Sequence, residues 1–347
     1  MELLQGTWFV LVGVLIIGYA ILDGFDLGVG ILHLFARDEQ ERRIHLNAIG
    51  PVWDGNEVWL LTAGGALFAA FPPVYATVFS GFYLALMLLL TALIARAVSL
   101  EFRGKVESTG WKKSWDIVFG IGSLLPPILL GVAFGNILRG IALDTRGDYI
   151  GTFFDLLNPY AVLVGILSLS LFLMHGAVFM MSKTEGVSRD RYSHWAFRSW
   201  IAVIVLYAAA SAATLFVSPN LFTGLTGNPL FWILFLLLLG SLLAIPLLVK
   251  RRRSFPAFVA SSSLIASMIG LSAISLYPNL VPSFTDPSLS LTISNSSSSQ
   301  ETLTVMLTIA LIGMPLVIAY TIVIHRVFRG RVIINEDSYW CRVPDEP

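Results

Sequence analysis

The sequence predicts an all-α, polytopic membrane protein with nine transmembrane helices, its N-terminus outside and its C-terminus inside. Three observations predict it. Of the 347 residues, 56% are hydrophobic and 13% charged, whereas a soluble domain carries about a quarter charged residues. Apolar runs long enough to cross about 30 Å of hydrocarbon recur from end to end. The basic residues also sort by loop: of the 22 lysines and arginines, only Arg139 and Arg146 fall outside alternate loops and the C-terminal tail. A positive-inside bias of this strength orients the chain and supports an odd number of spans. The zero net charge results from that sorting and points to no nucleic-acid partner.

The first span, near 8–35, follows an N-terminus (MELLQGT) that lacks the basic region of a signal peptide, and it reads as a retained helix. A second span near 51–71 meets a third near 74–100 at the Pro72-Pro73 turn. The fourth, near 115–139, contains Pro126-Pro127, which should kink it and leave freed carbonyls to neighbouring helices. The remaining spans fall near 159–182, 196–217, 229–249, 256–278 and 303–327. Of the outside loops, 140–158 carries Asp144, Asp148 and Asp155, and 279–302 contains SLSLTISNSSSSQ, which reads as flexible and without chemistry. No loop could hold a sizeable soluble domain, so residues 1–347 read as a single integral membrane domain. Cys341, the single cysteine, lies in the polar tail, which excludes an internal disulfide, a Cys-rich metal site and C-x-x-C-H haem attachment.

Against this background, two acidic clusters stand out. AILDGFDLGVGIL, in the first span, places Asp23 and Asp26 three apart on one helical face, with Gly24 and Gly28 forming a small-xxx-small pair that lets another helix approach closely. An ionised acid near the bilayer centre costs about 2.5–3.5 kcal/mol on insertion scales, so two together call for a function. GPVWDGNEVWL, which opens the second span, repeats the spacing with Asp54 and Glu57, has Asn56 between them, and is flanked by Trp53 and Trp59. Antiparallel neighbours would join Asp23, Asp26, Asp54 and Glu57 in one polar seam able to carry protons from the cytoplasm. The plainer readings are first-turn acids favoured by a helix dipole for Asp54 and Glu57, interfacial anchors for Trp53 and Trp59, and structural bonding for the first pair. Two clusters coinciding on consecutive helices favours the proton path.

Arg96 reads first as snorkelling to the interface and, more sharply, as the counter-ion of Asp54 or Glu57. Glu101 and Asp116 read as solvated at helix ends. His33, His45, His175, His194 and His325 all fall in loops or at the inner ends of spans, and no facing pair suits bis-His haem ligation. His175 reads as a hydrogen-bonded core histidine. There is no P-loop, G-x-G-x-x-G or metal-ligand spacing. Such a chain moves something across the membrane or serves a catalytic partner.

DGFDLGVG in the first span, WDGNEVWLLTAGGALFAAFPPVYATVFSGFY at 53–83 and GVAFGN at 131–136 resemble subunit II of the cytochrome bd-type ubiquinol/menaquinol oxidases. The likeness is dense over residues 10–140 and looser beyond, where LLNPY at 156–160 extends it. It implies a bacterial inner-membrane terminal oxidase that passes electrons from quinol to oxygen. It further implies two homologous nine-helix subunits, each built of two four-helix bundles and one peripheral helix. Two b-type haems and one d-type haem would belong to subunit I, with small single-helix accessory subunits as further partners. Subunit II would bind no haem or metal, support its partner and help deliver protons. The family's proton-route acids match Asp54 and, by motif, Asp23 and Asp26, and its tryptophan beside the acid matches Trp53. Glu57 stands where some members have Gln. Some members hold a quinone in this subunit, and no motif here locates one.

The rival function from a different class is a proton-coupled secondary transporter using the same acids. Transporters commonly carry broken helices in both halves, whereas here the acids are confined to the first two spans and Pro126-Pro127 has no later counterpart. That favours the oxidase subunit.

Overall fold

The computed structural model describes residues 1–334; Cys341 and Arg342 lie outside the described residues. Eleven α-helices account for most of them: α1 (Glu2–His33), α2 (Glu39–Ile49), α3 (Trp53–Ala70), α4 (Pro72–Gly81), α5 (Tyr83–Phe102), α6 (Thr109–Arg139), α7 (Pro159–Lys183), α8 (Gly186–Val217), α9 (Pro229–Lys250), α10 (Ser254–Leu276) and α11 (Gln300–Val327). Among the described residues, eight helices are long and apolar enough to cross a membrane. The second expected span, α3, is not one of the eight. It has 18 residues, and Asp54, Asn56 and Glu57 in its first turns lower its hydropathy.

Packing places α1 at the centre. It lies against α3, α6, α7 and α10, and every residue from Asp23 to His33 is buried. On one side α5 and α6 continue from α1 and α3; on the other α7, α8, α9 and α10 pack in succession, with α6 and α7 joining the two groups. Outermost is α11, which touches α1 and α3 and has no buried residue in its apolar window. Such exposure suits a helix whose surroundings are lipid rather than water.

Close approach at the centre depends on glycine. A Cβ on Gly28 would sit 2.0 Å from the Phe172 carbonyl oxygen and 2.9 Å from the Gly176 Cα, so α1 and α7 meet backbone to backbone. Without a hydrophobic driving force between helices in lipid, this contact is what van der Waals packing can exploit. The small-xxx-small expectation is met at Gly28.

Several expectations are corrected. The inner turn after the first span contains α2, whose start is capped by the Asp38 carboxylate accepting from the Glu41 N–H at 2.8 Å. The expected span 74–100 is broken at Phe82 into α4 and α5. The Ser-rich loop is ordered rather than flexible. Its strands β1 (Asn279–Val281) and β2 (Leu291–Thr292) pair antiparallel, and Ser283, Ser290 and Ser296 are buried. Serine hydroxyls there satisfy backbone and neighbouring side chains: Ser290 Oγ accepts from the Ser283 N–H at 3.0 Å, and Ser297 Oγ accepts from Gln5 Nε2 at 2.7 Å. The Ser298 N–H donates to the Ala70 carbonyl at 2.9 Å, and Ile141 N–H to Pro282 at 2.9 Å, so the loop ties the N-terminal end of α1, through Gln5, to the C-terminal ends of α3 and α6. Low-complexity composition concealed these specific bonds.

Replacing Gly28 with Val should drive α1 and α7 apart and lower stability by about 2 kcal/mol. Thermal melting of the detergent-solubilised protein checks this, with Gly13→Ala, which has no neighbour within 4 Å, leaving the midpoint in place.

Candidate functional site

The buried half of α1 turns its two acids toward different helices. Asp23 faces α5, where Arg96 Nη2 donates to Oδ1 at 2.7 Å and Nη1 to Oδ2 at 3.0 Å, both side chains being 0% exposed. This bidentate fork is the arrangement in which guanidinium and carboxylate bind most specifically. Asp26 faces α3, where Asn56 Nδ2 donates to its Oδ2 at 2.7 Å and to the Leu22 carbonyl at 3.3 Å. The other oxygen of Asp26 is buried and has no bonding partner.

Arg96 is therefore neither snorkelling nor the direct counter-ion of Asp54 or Glu57. It is fully buried and holds Asp23, while its charge also acts on Asp26 and Glu57. The reason is depth: Arg96 lies two turns inside α5, with α1 alongside. The single seam anticipated from sequence is divided. Asp23, Asp26, Asn56 and Arg96 form a closed cluster, Glu57 is half-buried beside it, Trp53 is half-buried, and Asp54 is exposed on the outer face of α3.

His175 is the bonded core histidine the sequence suggested. Its Nε2 donates to the Ile21 carbonyl at 3.0 Å, its Nδ1 meets Ser261 Oγ at 2.7 Å, and the ring stacks on Phe258 at 4.8 Å. Among the described residues no group of three or more His, Cys, Asp or Glu side chains could hold a metal ion.

A second polar cluster, at the end of the molecule that carries α2, escaped the sequence reading. Asp116, expected in solvent, is buried: it receives His33 Nε2 at 2.7 Å, Arg103 Nε at 2.5 Å and Arg103 Nη2 at 3.2 Å, with Arg42 Nε at 3.5 Å. Arg103 also binds Glu39 at 2.7 Å. Next to it, His45 Nε2 meets the Tyr192 hydroxyl at 2.7 Å, Tyr192 donates to Glu41 at 3.0 Å, and Arg191 pairs with Glu41. Burial is the main reason the His45 imidazole is held well below its usual range, and the positive charges of Arg191 and Arg42 reinforce it. The sequence signal was the density of ionisable side chains in HLFARDEQERRIHLN, which spacing alone could not pair with Asp116 or Tyr192.

A central helix carrying buried acids and a buried ion pair, among eight helices long and apolar enough to cross a membrane, defines a polytopic membrane protein. The chain belongs to the cytochrome bd terminal oxidase subunit II family, whose sequence profile matches residues 4–328. It is similar to the cytochrome bd-I ubiquinol oxidase subunit 2 of Escherichia coli (strain K12), 38% identical over 362 aligned positions covering 95% of this chain and 96% of that protein. It is also 38% identical to the cytochrome bd ubiquinol oxidase subunit 2 of Bacillus subtilis (strain 168), across 97% of this chain and 99% of the relative. Its fold matches the structure of bd oxidase from Geobacillus thermodenitrificans with a TM-score of 0.79 at 18% identity, covering 94% of this chain and 99% of that one.

Two measurements follow from the geometry. Arg96→Gln alone should cost about 3–5 kcal/mol by stranding Asp23, and the double change Asp23→Leu with Arg96→Met should restore part of the loss, read as melting midpoints. For His45, the unfolded chain takes up a proton below about pH 6.5 while the buried ring resists it, so protons bind preferentially to the unfolded state and stability falls as pH drops. Melting midpoints between pH 7.5 and pH 5 should decline in the unsubstituted protein and decline less in His45→Gln.

Proposed function

We propose that this subunit delivers protons from the cytoplasm to the haem-bearing subunit I of a bd-type quinol oxidase, supporting the reduction of oxygen to water and so the proton motive force. The family is that of a haem-containing oxidoreductase complex, and subunit II works with subunit I. In this reading the two b-type haems and one d-type haem sit in subunit I. This chain binds none, and each buried histidine already spends its Nε2 on Asp116, Tyr192 or the Ile21 carbonyl. Quinol and oxygen are substrates of the complex; single-helix accessory subunits and a quinone within this subunit are compatible additions.

The orientation belongs to the same proposal. The end that bears α2 and the Arg103, Lys183 and Arg191 side chains faces the cytoplasm, with α3 as the ninth span completing an N-out, C-in chain. Residues 1–347 then form one integral membrane domain.

The observation that carries the proposal is Asp26: a fully buried carboxyl with one oxygen bonded to Asn56 and the other free of any partner. A carboxyl whose charge is incompletely compensated in a low dielectric takes up and releases a proton readily. Arg96 holds Asp23 through two hydrogen bonds and places a positive charge beside Asp26. Half-buried Glu57 and exposed Asp54, on successive turns of α3, continue the acids from this cluster toward the surface on which a partner can bind. Trp53 beside Asp54 shapes that exit. The family assignment leaves the transporter alternative without support.

The test uses the purified complex. Asp26→Asn and Asp54→Asn should each lower quinol-dependent oxygen uptake about tenfold or more while haem spectra stay normal. Haem loss alongside activity would assign these acids a structural role, and unchanged uptake would remove them from the path.

A further inference from the structure

Asp23, Asp26, Gly30 and His33 lie at i, i+3, i+7 and i+10 on α1, within an arc of about 80°. All four are buried. His33 is thus two turns, about 10 Å, beyond Asp26 on the same face. Midway, at Gly30, the Ser123 hydroxyl of α6 occupies the room a side chain would need: a Cβ there would stand 2.0 Å from Ser123 Oγ. Beyond His33 stands α2, whose buried ionisable side chains are Glu41 and His45. The His33 and His45 rings are 5.6 Å apart between centroids.

Hydrogen-bond chemistry sets the protons on both rings. A carboxylate only accepts, so His33 donates from Nε2 to Asp116. Tyr192 gives its one hydroxyl proton to Glu41 and must therefore accept from His45 Nε2. Each neutral imidazole is left with a bare Nδ1, and both Nδ1 atoms are buried without a partner. Two adjacent buried proton acceptors are costly to leave unbonded, unless binding a proton is their task.

We infer that His33 and His45 form a two-imidazole proton-transfer site that draws protons from the basic end through Glu41 and Tyr192 and passes them, by way of Ser123, to Asp26. The inference rests on the proton-delivery function proposed above. One transfer begins with a proton taken up by Glu41 and the His45 proton moved from Nε2 to Nδ1: the Glu41 carboxyl gives its proton to the Tyr192 oxygen, Tyr192 gives its own to His45 Nε2, and His45 releases the one on Nδ1 to His33 Nδ1. Glu41 is left a carboxylate and His33 becomes an imidazolium bonded to Asp116. The Ser123 oxygen then takes the Nδ1 proton of His33 while the Ser123 hydroxyl proton, held by the Phe119 carbonyl at 2.8 Å, turns to the Asp26 carboxylate, and the bonds of His33, His45 and Tyr192 match the arrangement described. His45 resets by returning its remaining proton from Nε2 to Nδ1.

The surroundings fit a site that loads and empties. Asp116 accepts from His33 Nε2 at 2.7 Å and from Arg103 Nε at 2.5 Å, with Arg42 at 3.5 Å, and the His45 ring stands 5.6 Å away on the other side. Around His45 stand Tyr192 and Arg191 from α8, Arg42 from α2 and His33 from α1. Burial keeps His45 neutral between transfers.

The test measures turnover against pH in the purified complex for His45→Phe and Tyr192→Phe, the latter removing one hydroxyl. With normal haem content, both should be at least about fivefold slower at pH 8 and lose about tenfold per pH unit above neutrality, where the unsubstituted oxidase stays level. A decrease equal at every pH, or an unaltered profile, overturns the inference; should His45→Phe fail to assemble, Tyr192→Phe decides. If Asp26→Asn slows turnover and these two variants do not, only this inference fails. If Asp26→Asn is also without effect, the delivery function fails with it.

Discussion

Arg96 reaches Asp23 through two hydrogen bonds of 3.0 and 2.7 Å in a place that neither side chain shares with solvent. Taking two such charges out of water costs several kcal/mol each, and only close, multiply bonded geometry offsets that cost. The pair therefore constrains everything near it. It fixes α5 against α1, and it surrounds Asp26 with one positive and one negative neighbour instead of hydrocarbon. It also makes the centre of the subunit intolerant of single changes on either side. A buried pair is weak evidence for stability in itself; here its value is the electrostatic setting it gives the adjacent carboxyl.

That setting depends in turn on how tightly α1 can be enclosed. Gly28 lets α7 come backbone to backbone and Gly30 makes room for Ser123, so the polar face of α1 is sealed by atoms rather than by voids. Such close packing suits helices that lipid does not push together. The acids therefore sit inside a rigid frame, and the polar groups along α1, from Asp23 to His33, become the only breaks in it on that face.

Much of this was legible in the chain. Composition and apolar runs gave the helical membrane class, the D-x-x-D spacing marked the face of α1, and the Gly24 and Gly28 pair announced a close neighbour. The partner of Arg96 was not legible, because whether α5 presents it to α1 or to α3 depends on helix rotation, which spacing does not encode. Nor was the exposure of Asp54: an i, i+3 relation puts it on a face with Glu57 without saying that α1 meets the other side of α3, through Asn56. Asp116 looked solvated because helix ends usually are; its partners His33, Arg103 and Arg42 come from three separate segments. The serine tract looked unstructured because composition says nothing about which hydroxyl meets which amide.

The weak apolar character of α3 bears on how the molecule is made. A segment that begins Trp-Asp-Gly-Asn-Glu has little to hold it in lipid by itself, and its polar groups find partners only once Asp26 and the Leu22 carbonyl of α1 are already in place. The placement of this segment is thus coupled to its predecessor α1, across the short helix α2. The buried polar groups of α1 are also the ones that hold an otherwise weakly apolar helix against it.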